Sequence, residues 1–136
     1  MFTRVPPVAL HSVWEKVEGL LEPAIVANGA GEETVEEVLA GLLQNLSQLW
    51  IKVDGERIAF AVVTRLLRKP AGLACVILYA GGTEVKRWML EAEEAIREFA
   101  IANGCMALEL HGRRGWEKLI AGIRPSVYVY RKELRH

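Results

Sequence analysis

Gly81-Gly82-Thr83 stands where an apolar run, Val76-Ile77-Leu78-Tyr79-Ala80, gives way to a long amphipathic pattern. A strand that turns on glycines into a helix start presents backbone N–H groups without intrahelical partners. The helix dipole adds positive potential there, and together they suit a phosphate or another anion. The plainer role for the same residues is a tight turn with Thr83 as helix N-cap. Lys86 and Arg87 lie one turn inside that helix and can reach an anion at its start. A second cluster is Gly112-Arg113-Arg114-Gly115-Trp116. The planar guanidinium fork matches a phosphate or a partner's carboxylate; otherwise one arginine pairs with Glu109 and the other is solvated. Tyr79 at the strand end can act as an acid or as the stacking wall of a cleft; otherwise it is half buried with its hydroxyl in water. Glu109 is the one carboxylate near the same place, either as a base or as the group that orients Arg113.

The elements that must position these residues follow from periodicity. Phe2–Leu10 contains Pro6-Pro7, so it is extended or irregular, with an edge strand open to it. His11-Ser12 supplies a capping hydroxyl for a helix whose apolar positions are Val13, Trp14, Val17, Leu20 and Leu21. Pro23 can interrupt or kink it, Ala24-Ile25-Val26-Ala27 continues the apolar pattern, and Asn28-Gly29-Ala30-Gly31 reads as a loop. Thr34 with Glu37 three residues on is the capping-box pattern for a second helix, and Glu32, Glu33, Glu36 and Glu37 lie where its dipole favours negative charge. Leu49–Val53 and Ile58–Leu67 read as strands of a hairpin around Asp54-Gly55. Leu73–Ala80 is apolar almost throughout and reads as central. The long helix spans about Thr83–Asn103, ended by Asn103-Gly104. Met106–Leu110 then returns parallel to the third strand by a right-handed crossover. A short helix through Trp116, Leu119 and Ile120 ends at Gly122, and Ser126–Tyr130 alternates as a last strand. The order is α+β, with a mixed sheet of five to six strands flanked by helices and a long helix crossing between two central parallel strands.

Bulk properties narrow the function. A chain of 136 residues is one domain, 1–136, with room for a core. At 51% hydrophobic and 25% charged it is globular rather than disordered. Seventeen basic residues balance seventeen acidic ones, which gives no general electrostatic case for nucleic acid. No apolar run is long enough to span a bilayer, and the N-terminus lacks a secretory pattern, so the expectation is a cytoplasmic protein. Cys75 and Cys105 read as small buried thiols, and His11, His111 and His136 are too scattered for a metal site.

This order resembles the GNAT N-acetyltransferase superfamily over nearly the whole chain, and within it the compact proteins of tailed bacteriophages and prophages. The residues that carry the resemblance are Leu49-Trp50, Thr64, Trp88, Ala102-Asn103-Gly104-Cys105 and, most specifically, Glu109-Leu110-His111-Gly112-Arg113-Arg114-Gly115-Trp116 with Gly122 beyond. The resemblance implies acyl transfer from coenzyme A (as acetyl-CoA) to an amine. It places the cofactor's pantetheine arm between the splayed third and fourth strands of the reading above, and its pyrophosphate on Ala80, Gly81, Gly82 and Thr83. Active members carry a longer loop here with a cation and spaced glycines. Many also carry a tyrosine on the short helix that protonates the leaving thiolate. Counted back from Gly122, that position falls near Lys118. The alternative implied by the phage-like block is a catalytically silent protein of the same fold. It would serve virion structure or assembly through contacts with phage structural proteins, and would be virion-associated rather than cytoplasmic. A homodimer is open to either.

Overall fold

Two amphipathic helical stretches ahead of a run of hairpin strands call for a layered arrangement, because each apolar face must find another to cover it. The computed structural model describes residues 2–29 and 33–110 with Gly122 and Lys132, and the side chains of Asn28 and Gly29 are outside that description. The expected short helix, the last strand Ser126–Tyr130, and Arg113, Arg114, Trp116 and Lys118 lie outside the described residues. The elements in order are β1 (Phe2–Val5), a tight helical turn (Pro7–Ala9), α1 (Leu10–Gly29), α2 (Val35–Leu43), β2 (Ser47–Asp54), β3 (Arg57–Lys69), β4 (Gly72–Gly82), α3 (Val85–Ala102) and β5 (Ala107–Leu110).

They form one five-stranded sheet in the order β1-β2-β3-β4-β5. The first three pairings are antiparallel and β4–β5 is parallel. A parallel neighbour needs a crossover, and α3 supplies it. The mixed, helix-flanked sheet is therefore as expected, and β1 is the edge strand left open by Pro6-Pro7.

Alternation along the strands sends side chains to two cores. Trp50, Phe60, Val62, Cys75 and Ile77 pack against Trp88, Met89, Ala92, Ile96 and Ala100 of α3. Leu49, Ile51, Ala61, Val63 and Tyr79 pack against the buried stripes of α1 and α2. Each fully buried Leu, Ile or Val contributes about 1.5–3 kcal/mol, so the central strands are held from both sides. Burial, and secondarily the neighbouring Cys105, pushes the Cys75 thiol up to about 12, so Cys75 serves as packing rather than as a nucleophile.

Local details depart from the expectations or add to them. α1 begins at Leu10, ahead of Ser12, whose hydroxyl donates to the Ala9 carbonyl at 2.7 Å. Pro23 lies inside α1 rather than ending it. It is on the exposed face, where water can satisfy the carbonyl left without a donor, while Leu21 and Ile25 hold the helix onto the sheet. β4 also carries a bulge: Val63 faces Tyr79 and Thr64 faces Ile77, so Leu78 has no residue opposite it. The capping box of α2 is present as read, with Thr34 and Glu37 exchanging backbone-to-side-chain bonds of 3.1 Å each way.

Candidate functional site

The glycine pair does not turn. β4 runs extended through it, with Gly81 opposite Ala61 and Gly82 opposite Phe60. The reversal falls on Thr83-Glu84. The Thr83 N–H donates to the Ala59 carbonyl at 2.9 Å, and its hydroxyl lies 3.4 Å from the same oxygen. Thr83 is thus tied to β3 and is not the N-cap. That place is taken by Glu84, in the left-handed region at φ 54, ψ 49, with no side-chain capping bond.

Close packing explains both glycines. A Cβ on Gly81 would stand 1.9 Å from the Leu20 carbonyl oxygen, so α1 lies backbone-on-backbone against β4 there. Gly82 has φ +141, and its Cβ would stand 2.2 Å from the Ala59 oxygen. Ala59 is itself a bulge residue, since Lys52 faces Phe60 while Val53 faces Ile58. Only glycine meets these demands. Ala80, half buried, packs toward the α3 side.

What remains for an anion is the start of α3. The Arg87 N–H is already turned to the Glu84 carbonyl at 2.9 Å, so the backbone donors that a helix start leaves open are those of Val85 and Lys86. Lys86 is exposed. Arg87 is drawn back to Glu84 at 3.3 Å and lies over the Trp88 ring at 4.3 Å. Trp88 is buried, with an Nε1–H that has no acceptor among the described residues. Lys52 approaches the same ring at 5.0 Å and bonds Glu91 at 2.9 Å. The carboxylate of Glu84 opposes an anion at this end. Glu84→Asn removes that charge with a residue that tolerates the left-handed conformation. It should tighten inorganic pyrophosphate binding about fivefold, the scale of one charge near a helix end. Titration calorimetry of the two proteins checks this; equal affinities would take the anion away from α3.

On the other side of β4 the hydroxyl of Tyr79 has a protein partner. Tyr79 is only 7% exposed and donates to Glu33 Oε1 at 2.5 Å. Arg65 Nη2 lies 3.8 Å from Glu33 Oε2, and its Nε donates to Ser47 Oγ at 2.9 Å. Sequence reading placed Glu33 only as an acid near a helix start. Its partner is 46 positions away, and no local signal announces the contact. Glu109 faces Val76 across β4–β5, and its carboxylate is held by Lys69 at 3.0 Å. The described partner of Glu109 is therefore Lys69 rather than Arg113. Parallel pairing is described from Ala74↔Ala107 to Ile77↔Leu110, and β4 stays paired with β3 as far as Gly82. Among the described residues no group of three or more His, Cys, Asp or Glu side chains could hold a metal, and no helix is long and apolar enough to cross a membrane.

No family model and no curated protein sequence matches this chain. Solved structures do. A ribosomal-protein-alanine N-acetyltransferase from Brucella melitensis biovar Abortus 2308 superposes with TM-score 0.62 at 14% identity, over 97% of this chain and 99% of its own. A predicted acetyltransferase from Clostridium acetobutylicum, solved with acetyl-CoA, gives 0.67 at 12% identity, over 98% and 95%. An aminoglycoside acetyltransferase from an uncultured soil metagenomic sample gives 0.71 at 13%, over 99% and 98%. At such identities the likeness speaks to architecture, which spans both chains from end to end. The chain has the fold of the GNAT-type acetyltransferases.

Proposed function

We propose that this chain is an N-acyltransferase that moves an acetyl group from coenzyme A to an amine. The observation that carries the proposal is the β4–α3 junction: β4 runs extended through Gly82, and the chain reverses at Thr83-Glu84 straight into α3, the crossover to the parallel β5. Coenzyme A combines an amide-bearing arm with a diphosphate, and when bound it supplies an acyl thioester. The peptide groups of Leu78–Gly82 fit the arm as an added strand would. The N–H groups of Val85 and Lys86 and the Lys86 side chain fit the diphosphate, and the buried Trp88 Nε1–H has no partner among the described residues. Glu84 is the one misfit, so the chain's residues suit the group with a penalty at the diphosphate end. Ala80, Gly81, Gly82, Thr83, Lys86 and Arg87 are the positions that would hold it. Calorimetry and thermal shift with coenzyme A and acetyl-CoA test the reading. The expected result is heat and a raised melting temperature; neither at millimolar ligand would end it.

A second reading is a catalytically silent protein of this fold, phage or prophage in origin, that works in a virion or its assembly through contacts with structural proteins. Two observations favour it. Both glycines of the junction are accounted for by packing, and the helix start carries an acidic residue. Co-purification with phage structural proteins would support it, and robust turnover on an amine would set it aside.

A further inference from the structure

We infer that Glu33, held in place by Tyr79, is the carboxylate that receives the acceptor: it binds a cationic primary amine and takes its proton. The inference rests on the acyltransferase reading and adds the acceptor side to it. In such a transfer the amine nitrogen attacks the acyl carbon, a C–N bond forms and the C–S bond breaks. The sulfur leaves with the electron pair. An ammonium acceptor loses two protons on its way to an amide. One ends on sulfur and one in solvent, so a group beside the acceptor must accept the first.

β4 itself carries no carboxylate between Gly72 and Gly82. Glu109 is occupied by Lys69. Glu33 is delivered instead from the chain just ahead of the α2 N-cap, onto the tyrosine that follows the β4 bulge. Bulges recur where a side chain is re-aimed beside a site. Here the bulge sets Tyr79 on the α1 and α2 side, just beyond the last described β5 pairing. The two oxygens of Glu33 differ. Oε1 is fixed by the Tyr79 hydroxyl. Among the described residues Oε2 has only Arg65 at 3.8 Å, beyond hydrogen-bond length, with the Arg65 Nε turned to Ser47. A carboxylate has lone pairs for more than one donor, so Oε2 retains capacity for an incoming N–H. The side chain is 22% exposed, enough to be reached and enough to be oriented. Glu33 would touch the acceptor; Tyr79 is a positioning residue.

Glu33→Gln keeps the shape and an acceptor for the Tyr79 hydroxyl while removing the charge, which separates chemistry from mere anchoring of the chain ahead of α2. The experiment uses the full chain, with spermidine and an alanine-initial tripeptide as probes. Coenzyme A affinity is measured by calorimetry, amine binding by the same method with coenzyme A present, and thiol release from acetyl-CoA by absorbance. The expected result for Glu33→Gln is unchanged coenzyme A affinity and melting temperature, amine binding at least tenfold weaker, and kcat/KM for the amine lower by on the order of 10²-fold, the scale of a lost general base. Tyr79→Phe should act mainly on the amine KM, with kcat less affected. If coenzyme A binds but wild type and Glu33→Gln handle the amines alike, or neither probe binds or reacts, the assignment of Glu33 is overturned while the cofactor reading stands. If coenzyme A does not bind, the parent reading fails and this one falls with it.

Discussion

Gly81→Ala should cost more than about 3 kcal/mol of stability, above the usual range for overpacking, and a protein of this size has only about 5–15 kcal/mol to lose. The reason is geometric. The added methyl would stand 1.9 Å from a backbone oxygen of α1, and a backbone cannot swing aside as a side-chain tip does. Relief requires α1 to lift from β4, which uncovers the core formed by Leu21, Ile25 and their neighbours. Gly19→Ala is the internal control on the same helix. Its Cβ meets nothing within 4 Å, and helix propensity favours alanine by about 1 kcal/mol, so that variant should be as stable as the parent or more so. Urea denaturation of the three proteins decides the matter. A small loss for Gly81→Ala would mean that α1 does not rest on β4 at this point. If the glycine instead served a ligand, the variant would keep its stability and lose only coenzyme A binding.

That contrast marks where sequence reading of this chain reached and where it stopped. The capping box of α2 was legible because Thr34 and Glu37 lie within one helical turn of each other. The stripe of α3, the stop at Asn103-Gly104 and the parallel return of β5 were legible for the same reason: each is written in a short window. Gly81-Gly82 was read as a turn because glycine most often marks one. Its other use, close approach of two backbones, depends on α1, which no window around residue 81 contains. Tyr79 was singled out as ionisable at the right place, yet its partner Glu33 was counted only as a dipole-favoured acid. Glu84 was missed entirely as the N-cap, since a left-handed glutamate follows from no local preference and is imposed by the ties of Gly82 and Thr83 to Ala59.

Trp50 and Thr64 illustrate the remaining step, from residues that mark a resemblance to residues that act on each other. Trp50 Nε1 donates to Thr64 Oγ1 at 3.0 Å, and Thr64 Oγ1 donates to Gln48 Oε1 at 2.8 Å, all three side chains being buried in β2 and β3. The hydroxyl both accepts and donates, so it satisfies two groups that have no water to turn to. Thr64→Val keeps the volume and removes that oxygen. It strands an indole N–H and an amide carbonyl, each at about 1–3 kcal/mol, so the loss should be about 2–6 kcal/mol although no cavity is made. A cycle with Trp50→Phe separates the causes. Once the indole N–H is gone, Thr64→Val should cost at least 1 kcal/mol less than it does in the wild-type background, because one of the two stranded groups no longer exists. Equal costs in both backgrounds would show that the bond contributes nothing beyond packing. Val63, Thr64 and Tyr79 flank the β4 bulge, so the same chain of bonds holds β2 and β3 in register where β4 bends. A Thr64→Val protein that folds but binds coenzyme A more weakly would therefore tie the cleft proposed for the cofactor to this buried polar chain behind β4.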